Sequence, residues 1–200
     1  MSKLSKGAVL KVDVTKDHVE AFCNGCIVMR SFWHHFHILF EGAESQRRLL
    51  QSIAPILFRD INGLFIEHLI LQICKITDPE ESKGRKNLTV KYLLNNADFS
   101  NSLVEQNKLK KLVQSIDGFR NKILPARNKF IGHLDLSSVL DDKPLGAATA
   151  DEWNQFWLDL QDFLNIIHKR YVDPLGVFYL NAIGNLSDAH SLIRVLEFRT

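Results

Sequence analysis

Cysteine is scarce in this sequence. There are three in 200 residues, Cys23, Cys26 and Cys74. An odd and low count excludes a disulfide framework and fits a reducing compartment. Cys23-Asn24-Gly25-Cys26 is a lone CxxC. It has no second half-site, so a structural zinc site would have to recruit Cys74 and a histidine. No βαβ pattern surrounds it, which argues against a thioredoxin-type centre. Buried helix cysteines are the simpler reading. Long hydrophobic runs are also missing. Arg59, Asp60, Glu67 and Lys75 break up the most apolar segment, so no membrane-spanning helix is expected. The N-terminal lysines are not followed by an apolar stretch of signal-peptide type, so the expected location is cytoplasmic. No internal repeat or low-complexity tract is present, and only short connections are polar enough to resist folding.

With 46% hydrophobic residues the chain can build a substantial core, and 24% charged residues favour solubility. Two hundred residues suit one domain, here 15–200, behind an N-terminal arm at 1–14. Net charge is only +2, but it is unevenly placed. Residues 106–133 carry Lys108, Lys110, Lys111, Arg120, Lys122, Arg127 and Lys129 against Asp117 alone. Lys83, Arg85, Lys86 and Lys91 add to this asymmetry. Such a patch attracts polyanions, although lysines that merely solvate a helix face would look the same.

The hydrophobic pattern is helical through most of the chain. Phe22, Cys26, Met29, Trp33, Phe36 and Phe40 recur at three- and four-residue spacings, which predicts a helix over 16–40, with Gly25 a weak point. Within it His34 and His37 sit at i, i+3, and Glu41 follows four residues later. Two or three metal ligands could use that spacing, but core or interfacial histidines suit it better. No metal or other cofactor is expected. Gly42 ends the helix, and a short helix is predicted over 43–52. Pro55 marks a break or the first turn of the next helix. Residues 56–77 are the most apolar segment, with a stripe of Leu57, Ile61, Leu64, Leu69, Ile73 and Ile76. Phe58, Phe65, Ile66 and Ile70 widen that stripe, which predicts a central helix packed by several neighbours.

Asp78-Pro79 stops that helix, and 80–86 reads as a charged loop. Asn87 is the expected cap of a short helix reaching Leu94. A long helix over 100–123 carries Leu109, Leu112, Val113, Ile116, Phe119 and Ile123 on one face. Pro125 should kink or restart it, placing Arg127 near a helix N-terminus where free N–H groups favour anions. Thr149-x-x-Glu152 is a capping box. It opens a helix bearing Trp153, Phe156, Trp157, Leu160, Phe163, Leu164, Ile167 and Tyr171, more consistent with core than with a base-stacking platform. Asp173-Pro174 ends it, and Ser187 can cap a last short helix to Phe198. The expected fold class is all-α, a bundle of four main helices plus short ones.

Arg127-Asn128-Lys129-Phe130-Ile131-Gly132-His133 carries the clearest chemistry. Arginine offers an always-charged fork of donors that fits a phosphate. Histidine moves protons near neutral pH. The Asn128 amide can orient either group. A surface arginine and a capping histidine at a helix end would satisfy the same pattern.

These residues resemble the R-x(4–6)-H motif of the HEPN superfamily, the nucleotide-binding domains of higher eukaryotes and prokaryotes. Ile76-Thr77-Asp78, Gly84-Arg85-Lys86-Asn87-Leu88 and the run from Arg127 to Asp135 resemble its abortive-infection AbiU-like branch. The likeness covers about residues 33–135. Gly132 departs from it, since a small helix former is expected before the histidine.

The resemblance implies a metal-independent endoribonuclease of a phage-defence or toxin system, with RNA as substrate and an antitoxin protein as possible partner. It also implies a homodimer that brings two motifs together. On one straight helix Arg127 and His133 would be separated by about 600° of rotation, or about 120° apart, which presents them poorly to one phosphate. His133 would serve as general base on the 2′-hydroxyl or general acid on the 5′-oxygen, Arg127 would stabilise the phosphorane, and Asn128 would position Arg127 or the phosphate. Lys108, Lys110, Lys111, Lys122 and Lys129 are the expected RNA-binding cations. The alternative from another class is a non-catalytic HEPN module that binds RNA or protein.

Overall fold

The structure is a computed structural model that describes residues 13–128, 148–180 and 188–198. The expected roles of residues 1–12, Lys129, Gly132, His133 and Ser187 therefore lie outside the described residues. Seven helices and one two-residue hairpin are described, so the fold is all-α as expected. Four long helices dominate. These are α1 (Lys16–Phe40), α3 (Pro55–Thr77), α5 (Leu103–Ala126) and α6 (Ala150–Tyr171). The short ones are α2 (Glu44–Ile53), α4 (Val90–Asn96) and α7 (Asp188–Glu197).

The long helices form a closed ring: α1 packs on α3 and α6, and α5 packs on the same two. The core fills the ring. Val19, Met29, Ile73, Leu109, Phe156 and Phe163 are among its fully buried side chains. In α5 the buried face is Leu109, Leu112, Val113, Ile116, Phe119 and Ile123, the stripe expected from periodicity. Helix α6 opens on the expected capping box. Thr149 Oγ1 accepts from the Glu152 N–H, and Glu152 Oε2 accepts from the Thr149 N–H at 2.9 Å. An aromatic seam joins α1, α5 and α6, with Trp33 stacked on Trp153 at 4.4 Å and Phe119 on Phe156 at 4.7 Å.

Three expectations need correction. Helix α3 is central only in its second half, where Leu69, Ile70, Ile73 and Cys74 are buried. In its first half Ile56, Leu57 and Leu64 are each more than half exposed. That half packs Phe58, Ile61 and Phe65 against the core, while its other faces meet solvent, so an apolar pattern did not guarantee burial there. Residues 80–86 are not simply a loop. Glu81–Ser82 (β1) pairs antiparallel with Arg85–Lys86 (β2). Lys83 at φ 51° and Gly84 at φ 74° form the two-residue turn, the geometry that matches strand twist. Finally, the cap of α4 is Thr89, whose Oγ1 accepts from the Tyr92 N–H at 3.2 Å. Asn87 instead donates from its side chain to the Pro79 carbonyl at 2.9 Å and secures the hairpin's base.

Candidate functional site

The candidate site begins at the end of α5. Pro125 lies inside this helix and does not restart it. It lacks an N–H, so the carbonyl of Asn121 loses its usual helical donor. Two residues further on, the turn at Arg127 and Asn128 is wider than an α-turn. The Arg127 N–H donates back to the carbonyls of Ile123 and Leu124. The expectation that Arg127 sits near a helix N-terminus is therefore corrected. Its amide is already satisfied, and any anion there must be held by the guanidinium itself.

Arg127 is half-buried and Asn128 is exposed. Arg127 Nη1 donates to Asn128 Oδ1 at 2.9 Å. One donor of the guanidinium is thus engaged, leaving others to face a ligand. Arg127 also acts on Cys74 near the end of α3: burial pushes the Cys74 thiol up, while Arg120 and Arg127 pull it down. Arg120 precedes Arg127 by seven residues, about 20° from the same line on a regular helix. Its Nη2 donates to Asp78 Oδ1 at 2.8 Å. Beside it, Lys91 of α4 pairs with Asp117 at 3.0 Å. These two partly screened ion pairs fasten α5 to the end of α3 and to α4. The sequence signal for Arg120 was available in its seven-residue offset from Arg127. Its acidic partner was not, because Asp78 lies 42 residues away.

The basic surface divides into two groups. Lys108 pairs with Asp162 at 2.8 Å, and Lys122 with Glu152, both acids on α6. Lys110 and Lys111 are exposed and pair with no described residue. Lys108 and Lys122 are about half exposed, so solvent screens both pairs and each holds its lysine weakly.

The other motifs fall elsewhere. His37 stacks on Trp33, and Glu41 caps the end of α1. No group of three or more His, Cys, Asp or Glu is placed to hold a metal among the described residues. Cys23, Cys26 and Cys74 are buried free thiols. Burial, with Glu20 adding, pushes the Cys23 thiol up to about 12. No helix among the described residues is long and apolar enough to cross a membrane. A family model for AbiU2, one of the HEPN proteins, matches residues 14–187. No curated protein and no solved structure matches the chain.

Proposed function

The chain belongs to the HEPN AbiU2 family, and from that membership we propose that it is an abortive-infection or toxin effector that cleaves RNA without a metal ion. The observation that carries this reading is the Arg127 guanidinium, held by Asn128 at the end of α5. A positioned guanidinium with donors to spare stabilises charge as a phosphorane forms. His133, six residues on, takes the proton from the 2′-hydroxyl or gives one to the departing 5′-oxygen. The 2′-oxygen bonds to phosphorus as the bond to the 5′-oxygen breaks. The products then carry 2′,3′-cyclic phosphate and 5′-hydroxyl ends. Lys110 and Lys111, which pair with no described residue, supply positive charge along the same helix, Lys108 and Lys122 add to it when RNA displaces their acids, and Lys129 is a further cation of the same stretch of sequence. The working unit is a homodimer, and an antitoxin protein is a fitting partner for such an effector.

Purified protein with single-stranded RNA and a chelator tests this. Cleavage that is lost in His133→Ala and kept in Lys75→Ala, a surface control, supports the enzyme. RNA binding without cleavage by the wild type assigns the chain to the non-catalytic modules.

A further inference from the structure

The seam between α5 and α6 is a polar ladder whose middle rung has no cation among the described residues. Its rungs on α5 are Lys108, Ser115 and Lys122, seven residues apart, so they share one side of the helix. Each meets an acid on α6. Lys108 pairs with Asp162 at 2.8 Å and Lys122 with Glu152. The middle rung is different. Asp159 is only 8% exposed, yet the residue opposite is Ser115, whose Oγ donates to Asp159 Oδ2 at 2.6 Å. Gln155 Nε2 donates to Asp159 Oδ1 at 2.8 Å. Among the described residues Asp159 therefore has two neutral donors and no counter-charge. A buried carboxylate is ordinarily paired with a cation, because burial strips away its hydration.

The middle rung also borders empty space. A cavity of about 280 Å³ opens there, lined by Ser115, Gly118, Phe119, Phe156 and Asp159, with the Lys122–Glu152 pair at one end. Gly118 enlarges it, since a Cβ at that position would meet nothing within 4 Å. A structural bridge from Ser115 and an i, i+4 bond within α6 account for the two hydrogen bonds. They do not account for a cavity kept open beside an uncompensated carboxylate.

We propose that this cavity is a binding site for a guanidinium group, which supplies the cation that the middle rung lacks. Each Asp159 oxygen has one hydrogen bond and keeps a lone pair, so the carboxylate can accept a two-pronged fork. Phe119 and Phe156 line the cavity and give the planar cation an apolar border. A bare metal ion suits the site poorly, because one carboxylate cannot replace its hydration shell. The guanidinium can belong to a free small molecule or to an arginine side chain of a protein partner. The site is independent of RNA cleavage, so a chain without nuclease activity leaves its test intact.

The probes are agmatine and an acetylated, amidated Gly-Arg-Gly peptide. Each is titrated at low salt into the full chain, with the Gln155 side-chain amide followed by NMR and heats by calorimetry. Binding in the roughly millimolar range or tighter is expected for at least one probe. Agmatine alone points to a small metabolite, and the peptide alone to a protein side chain. Asp159→Asn keeps the shape and removes the charge, and should weaken binding at least about tenfold. Gly118→Leu keeps the charge and fills the cavity, and should block binding in a protein that remains folded. Failure of both probes to bind the wild type, or wild-type binding by folded Asp159→Asn or Gly118→Leu, overturns the proposal.

Discussion

Arg127 is half-buried and stands outside the core set of α5. Replacing it with alanine should leave the bundle intact and lower RNA cleavage by about a hundredfold or more, the usual loss when a transition-state charge donor is removed. Asn128→Ala should act more weakly and through the arginine. It frees the guanidinium from its 2.9 Å anchor, so kcat falls by roughly tenfold to a hundredfold while KM stays close to wild type. Steady-state cleavage kinetics together with helical circular dichroism separate this from a folding defect. Wild-type kcat in Arg127→Ala would remove the residue from the mechanism. The cysteines give a second test at this scale. Burial raises all three thiols, Cys23 to about 12, so each carries less thiolate at pH 8 than a free cysteine does. Iodoacetamide should label the native chain very slowly and all three sites rapidly in denaturant. Fast native labelling at one site would show that its part of the ring opens readily.

Helix α5 shows how legible the fold was and carries the proposed RNA-binding lysines. Its buried stripe could be read from the sequence because apolar residues at 3.6-residue spacing have one face to bury, and α1 and α6 were readable for the same reason. The exposed half of α3 was not, since the pattern records apolarity and not the presence of a neighbour. The restart expected at Pro125 was wrong because proline usually ends a helix, whereas here α5 runs through it to Ala126. Of the candidate site, the motif was visible, but the pairing of Arg120 with Asp78 depends on contacts between helices that no local pattern encodes. The pairing of the lysines was hidden likewise, and it now sharpens a prediction. Lys110 and Lys111 are free of described partners, so each should displace counterions from RNA directly. The slope of log affinity against log salt should shrink by about 1.4 in Lys110/Lys111→Ala, roughly 0.7 for each lost contact to a single strand. Lys108/Lys122→Ala should change it less, because those lysines already face acids on α6. Equal slopes in wild type and Lys110/Lys111→Ala would assign the free pair to surface solvation.

At the scale of the whole molecule the question is whether one bundle holds a complete site. Arg127 sits at the end of α5 with its backbone still in helical conformation. Six residues of helix turn through about 600°, so a histidine at 133 on a continued helix would lie about 120° away from it. One phosphate is then served better by residues from two chains related by a twofold axis. If the working site is composite, a monomer should be nearly inactive. Arg127→Ala mixed with His133→Ala should regain activity, because a mixed dimer can hold one site with both residues intact. With random exchange about half the dimers are mixed, each with one site in place of two, so roughly a quarter of wild-type activity is expected. Gly132 supplies the complementary test. A glycine next to the histidine permits a close approach between helices, and Gly132→Leu should crowd that contact and separate the subunits while sparing each bundle. Sedimentation of the wild type, Gly132→Leu and the mixture, run beside the cleavage assay, reads assembly and activity together. A wild-type protein that sediments as a fully active monomer would defeat the composite site, whatever the variants did.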